Sequence, residues 1–111
     1  MPTHGKYNAI RTWCGGHWFA SKREARRYTE LLLLEAAGEV RDIELQPAYP
    51  LTAPTPDGSL VSVAKYVGDF RYVDVPSGET VLEDAKGVKT QVYRLKKRWV
   101  EAQYGIVVKE V

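Results

Sequence analysis

Residues 67–87 read V-G-D-F-R-Y-V-D-V-P-S-G-E-T-V-L-E-D-A-K-G. Pro76-Ser77-Gly78 is a turn signal between two strand-like runs, which makes the segment a hairpin. With Val75 opposite Gly78, Val73 faces Thr80, Arg71 faces Leu82 and Asp69 faces Asp84. Directly opposed residues in an antiparallel pair carry Cβ atoms about 5 Å apart. A loop one residue different shifts Asp69 to Ala85 and still leaves the two aspartates close. Carboxylates at that spacing repel by roughly 3 kcal/mol at an effective dielectric near 20. Val67, Phe70, Val73, Val81, Leu82 and Ala85 mark these strands as central, where such repulsion demands compensation. Lys86 projects from the same face as Asp84 and supplies one positive charge. A divalent cation supplies more, and hard carboxylate oxygens suit Mg²⁺ or Mn²⁺. The bland alternative is an Asp–Lys pair on a solvated edge strand. Glu83 points the other way, with Val81 and Ala85, where a salt bridge to a basic neighbour would hold it.

Before this hairpin, Trp13 to Ala20 encloses Gly15-Gly16, a small hairpin ending in a short strand from His17 to Ala20. Ser-Lys-Arg-Glu at 21–24 fits a capping box, with Ser21 as N-cap and Glu24 at the third helical position. The helix runs to Ala37, with Ala25, Tyr28, Leu31, Leu32 and Ala36 as its apolar stripe and Gly38 as its stop. The block Leu31 to Leu34 is apolar all round, which predicts a well-buried end. Val40 to Leu45 is strand-like and is limited by Pro47 and Pro50, and Ala53 to Ser59 reads as a turn. Leu60 to Val75 reads as one long strand bent near Lys65. Thr90 caps a second helix from Gln91 to Tyr104, with Val92, Leu95, Trp99 and Ala102 inward. Gly105 ends it, and Ile106 to Val111 is a last strand. The predicted order is helix, three strands, helix, strand: an α/β (α+β) fold with a mixed sheet flanked by helices. Residues 1–12 carry little signal and read as a flexible arm, with Lys6 and Arg11 able to touch phosphates; 13–111 is a single domain.

Composition narrows the chemistry. The 111 residues have 44% hydrophobic and 27% charged content, an ordinary globular balance. One cysteine, Cys14, excludes an intrachain disulfide, and His4 and His17 are the only histidines, which disfavours zinc sites. No apolar run is long enough to span a membrane, and no signal core opens the chain, so a reducing, cytoplasmic setting is expected. The net charge of +2 says little, but the charges are segregated. Lys86, Lys89, Arg94, Lys96, Lys97 and Arg98 form one acid-free stretch, and Lys22, Arg23, Arg26 and Arg27 another broken only by Glu24. Such clusters grip a polyanion or serve as solvated helix faces.

Val67-Gly68-Asp69-Phe70, a hairpin, then Glu83-Asp84-Ala85-Lys86-Gly87 resembles the PD-(D/E)XK nuclease motif, an aspartate followed on the next strand by acid-x-lysine. The predicted order is similar to that superfamily's restriction-endonuclease-like core. More closely, residues 19–28, Leu45-Gln46-Pro47, Asp69-Phe70-Arg71-Tyr72 and residues 93–97 resemble a phage and prophage family described as endonuclease-like. The resemblance covers nearly all of the chain after residue 12. It implies that Asp69 and Asp84 are metal ligands, Lys86 the catalytic lysine and Glu24 a further metal-site acid. Ala85 would add its carbonyl, and Gln46 lies on the strand that precedes the site. Gly68 stands where the motif has its proline. The implied activity is Mg²⁺- or Mn²⁺-dependent DNA cleavage by an endonuclease, structure-selective like a junction resolvase or weakly sequence-specific, with a homodimer as the implied assembly. Lys22, Arg23, Arg26, Lys89, Arg94, Lys97 and Arg98 would hold phosphates. Two rival readings are a catalytically silent nucleic-acid-binding module and a phage protein-interaction accessory.

Overall fold

The structure, a computed structural model, describes residues 10–85 and 88–111. Residues 1–9 of the expected arm, with Lys6, lie outside the described residues, as do Lys86 and Gly87. The chain opens on a hairpin of β1 (Thr12–Cys14) and β2 (His17–Phe19). Its two-residue turn needs a left-handed backbone at both positions, and Gly15 and Gly16 adopt φ of 57° and 86°. Helix α1 (Lys22–Ala36) follows, and the Ser21 hydroxyl accepts the Glu24 backbone N–H at 3.2 Å as its N-cap. Then come β3 (Val40–Leu45), β4 (Ala48–Pro54), β5 (Leu60–Val67), β6 (Phe70–Asp74), β7 (Thr80–Asp84), α2 (Gln91–Tyr104) and β8 (Val108–Glu110).

Five strands therefore separate the helices, where three were expected. The supposed long strand from Leu60 to Val75 breaks at Gly68-Asp69 into β5 and β6, which belong to different sheets. The stretch with Pro50 and Pro54 is a strand after all: β4 pairs only with β5, so each proline has an unpaired edge on which its missing N–H costs nothing. The remaining strands form one mixed sheet, ordered β3-β6-β7-β8, with β8 parallel to β7 and the other pairs antiparallel. Within that sheet and its helices the order is the expected one, with the β4-β5 ribbon inserted between β3 and β6. The fold is thus α+β.

The hairpin register agrees with the turn chemistry, pairing Val73 with Thr80, Arg71 with Leu82 and Phe70 with Glu83. Period-two alternation sends Phe70 and Tyr72 to one face of the sheet, where they meet Phe19, Ala25, Tyr28 and Leu31 of the hairpin and α1. Leu82 and Val108 face the other way and pack with Leu51 and Tyr66 of the ribbon and with Tyr93 and Val100 of α2. Burial of this kind stabilises by about 25 cal/mol per Å² of apolar surface, so two cores on opposite faces fix the sheet between the helices.

Two packing expectations fail. Leu33 is 67% exposed, because a single helix touching one surface buries a stripe and not its whole girth. On α2, Val92 and Leu95 are each 62% exposed, and Tyr93 and Val100 are the buried positions. The larger Tyr93 ring fills the space beside Tyr66, with ring centroids 6.4 Å apart, and that contact sets the helix rotation. Thr90 is the N-cap as expected, accepting from the Tyr93 N–H at 3.1 Å.

Candidate functional site

Asp69 sits at the break between the two sheets, and four backbone segments meet there. Its N–H donates to the Glu83 carbonyl and its own carbonyl accepts from Gln46, both at 3.0 Å. Its carboxylate Oδ2 accepts the Ala85 N–H at 2.6 Å. Gly68, just before it, is buried against β7: a Cβ there would lie 2.7 Å from Leu82 Cδ1. A residue with a side chain, proline included, is crowded at that point, which gives the departure from the motif a local packing reason. Gln46 holds φ of +52°, unusual for a side chain of its size, and lines the same cleft as Asp69.

Glu24 reaches the site from α1. It is buried, and its carboxyl lies within hydrogen-bonding reach of Asp69. The capping-box and site roles therefore divide: the Glu24 backbone N–H serves the cap, while its side chain serves the site. Burial, then the adjacent Glu24 carboxyl, push the Asp69 carboxyl up from 3.8 to about 6. Asp84 and the Ala85 N–H pull in the opposite direction. Glu24 and Asp84 are thus both neighbours of the Asp69 carboxyl. A cleft of about 300 Å³ opens beside it, lined by His17, Trp18, Phe19, Glu24, Leu45, Gln46 and Asp69.

Asp84 is fully buried on the α2 side of the sheet, where the Tyr66 hydroxyl donates to its Oδ2. Burial and then this bond push the Tyr66 hydroxyl far above its ordinary value. Beyond Tyr66 lies Tyr93, whose hydroxyl donates to Glu110 at 2.8 Å. That bond, with Lys97 and Lys89 each 3.7 Å from the Glu110 carboxylate, lowers the Glu110 carboxyl.

Glu83 occupies the opposite face, also fully buried. Arg27 of α1 donates to both its oxygens, Nε at 2.7 Å and Nη2 at 2.8 Å, and the Tyr72 hydroxyl donates to it as well. The salt bridge expected for Glu83 therefore exists. The bond to Glu83 pushes the Arg27 guanidinium above its ordinary value, and burial and Glu83 raise Tyr72 to about 12. Glu24 and Arg27 are one turn apart, so the ion pair at Glu83 fixes the turn of α1 that presents Glu24.

The two basic clusters meet at the end of β8. Arg23 donates to the Val111 carbonyl at 3.0 Å, and Lys89 and Lys97 reach the neighbouring Glu110. Lys22, Arg26, Arg94 and Arg98 are exposed. Arg27 is withdrawn from the first cluster by its buried bond. Tyr66 and Trp18 are not among the expected site residues, and the role of Tyr66 depends on where the β4-β5 ribbon packs. The Trp pair carried a readable signal: Trp13 and Trp18 are equidistant from the Gly-Gly turn and so must face each other.

These acids are hard oxygen donors, the kind Mg²⁺ or Mn²⁺ takes. Among the described residues, however, no three His, Cys, Asp or Glu side chains stand as a ready metal cage. No helix among them is long and apolar enough to cross a membrane. The family profile described as "Protein of unknown function (DUF1064)" matches residues 4–110. The chain belongs to that family. No curated protein and no solved structure matches it.

Proposed function

We propose that this DUF1064 chain is a metal-dependent DNA endonuclease on a restriction-endonuclease-like PD-(D/E)XK core, of phage or prophage type. One observation carries the reading. Glu24 from a helix and Asp84 from a central strand both act on the Asp69 carboxyl at the sheet break, which burial and Glu24 hold near 6. A buried acid perturbed by a specific neighbour and sitting beside a cleft is a functional-site candidate. The order of elements through the main sheet supports the same reading.

Glu24, Asp69 and Asp84 would hold Mg²⁺ or Mn²⁺, with the Ala85 carbonyl as a further donor. When bound, the ion supplies charge relief at the phosphate and a more acidic water. The chain's own groups do the rest. Asp69 is ionised above about pH 6, and that state is the one competent to bind a cation. Tyr66 fixes the Asp84 carboxylate through its hydroxyl, and Arg27 and Glu83 fix the turn carrying Glu24. Lys86 orients or deprotonates the attacking water. Lys22, Arg23, Arg26, Lys89, Arg94, Lys97 and Arg98 contact phosphates without reading bases. A domain this small has little room within itself for base-specific recognition, which favours structure-selective or weakly specific cleavage, with a homodimer reaching both strands.

The test is cleavage of linear, supercoiled, branched and single-stranded DNA with Mg²⁺ or Mn²⁺. Activity is expected from the native chain and lost in Asp84→Ala and Lys86→Ala proteins whose circular dichroism and melting are retained. An inactive native protein on all four substrates overturns the proposal. A second reading, a silent nucleic-acid-binding module, draws on the exposed Lys22, Arg23, Arg26, Arg94 and Arg98. Calorimetry separates the two, because a silent module binds DNA and takes up no Mn²⁺.

A further inference from the structure

We infer that the β1-β2 hairpin is a base-stacking platform, and that the ligand is an unpaired nucleobase next to the strand being cut. Trp13 and Trp18 lie directly opposite each other in the hairpin, their rings edge to face with centroids 5.2 Å apart. They are 57% and 52% exposed. Two large aromatics kept in water on one small hairpin leave apolar surface that a folded core had every chance to cover. The other face of the hairpin is covered: Phe19 packs on Tyr28 and Phe70 in the α1 core.

The platform is rigid. A Cβ at Gly15 would fall 2.8 Å from the Tyr28 ring, so the turn rests directly on α1. The Cys14 thiol sits 3.2 Å from the Thr29 hydroxyl of the same helix. Rigid aromatic surfaces bind at little cost in conformational freedom.

Two features identify the ligand. The Arg11 guanidinium stacks on Trp18, 4.5 Å from the ring centroid, so a cation adjoins the aromatic surface. An exposed aromatic pair that carries a cation is the combination that single-stranded nucleic acid recruits, base on ring and phosphate on guanidinium. Trp18 also lines the cleft that holds Glu24 and Asp69. A base on the platform therefore carries its own backbone to those acids. Bases inside a duplex have both faces covered by their neighbours and cannot stack on the pair. The platform thus selects single strands, flaps and branch points. The inference rests on the nuclease reading for its substrate class, and it names which DNA structure that site takes.

The experiment measures binding and not cleavage, so the two claims fail separately. The full chain in EDTA is titrated with a fluorescein-labelled oligothymidylate and, separately, with a blunt duplex. Native tryptophan emission is expected to be quenched by the single strand. Trp18→Ala and Trp13→Ala should each weaken single-strand binding by about tenfold and duplex binding far less, and Trp18→Phe should restore most of the loss. Equal losses on both DNAs, no loss, or a sedimentation shift from dimer to monomer in Trp18→Ala would overturn the inference, the last by showing that a second copy covers the pair. Quenching of the native protein is read without any variant, so a misfolded variant does not spare the inference. Single-strand binding without Mn²⁺-dependent cleavage removes the nuclease reading alone. Cleavage indifferent to the tryptophans removes the platform alone.

Discussion

Replacing Arg27 with methionine keeps an unbranched side chain and removes the guanidinium that donates to both Glu83 oxygens. Glu83 has no exposed surface, and the Arg27 side chain is 18% exposed. In the variant the carboxylate keeps the Tyr72 hydroxyl as a donor and loses its counter-charge. Breaking a buried ion pair from one side costs about 3–5 kcal/mol, and the partial exposure of Arg27 places this loss at the lower end, about 3 kcal/mol. For a domain of about 100 residues that lowers Tm by about 12–24 °C. Adding Glu83→Leu should recover most of the stability, because apolar pairs often replace buried ion pairs at no net cost. Urea denaturation followed by circular dichroism reads both. A loss below about 1 kcal/mol at neutral pH would refute the assignment of Arg27 as the counter-charge that holds Glu83.

Two further outcomes concern Asp69. Its carboxyl is raised from 3.8 to about 6, so the contribution of Asp69 to stability is complete below about pH 4 and falls by about 3 kcal/mol as pH rises through about 6. Asp69→Asn, whose amide can donate to Glu24 while its oxygen still accepts from Ala85, should lack this fall and be the more stable protein at alkaline pH; parallel pH–stability curves would contradict that. Mn²⁺ binding should release a proton near pH 6 and strengthen from about pH 5 to 7, visible in calorimetry as heats that change with buffer ionisation enthalpy. Buffer-independent heats near pH 6 would remove Asp69 from the metal site.

The parts of the fold that were legible in the sequence are those fixed by local chemistry. Ser21, Thr90 and Gly105 mark helix ends through caps that need no tertiary contact. Pro76-Ser77-Gly78 fixed the β6-β7 register, and with it the separation of Glu83 from Asp84 onto opposite faces. The illegible parts depend on what packs where. Pro50 and Pro54 argue against a central strand but are neutral about an edge, so β4 was hidden. Val92 and Leu95 have the spacing of an inner face, and α2 is rotated away from them by the Tyr93–Tyr66 contact. The break at Gly68-Asp69 lies in an unbroken β-prone run, and nothing before Gly68 announces that the chain changes sheets there. The same break decides the site, because it lifts Asp69 out of the ladder toward Glu24. The Tyr66–Asp84 bond was invisible for the related reason that β5 reaches β7 only through tertiary packing.

The central claim is that Glu24, Asp69 and Asp84 together bind a divalent cation. Crystals soaked in Mn²⁺ above the Asp69 titration test it through anomalous scattering. The account predicts one strong peak among these three carboxylates, absent in Asp69→Asn crystals treated identically. A well-ordered site with no peak there, or Mn²⁺ bound only elsewhere on the chain, would contradict it.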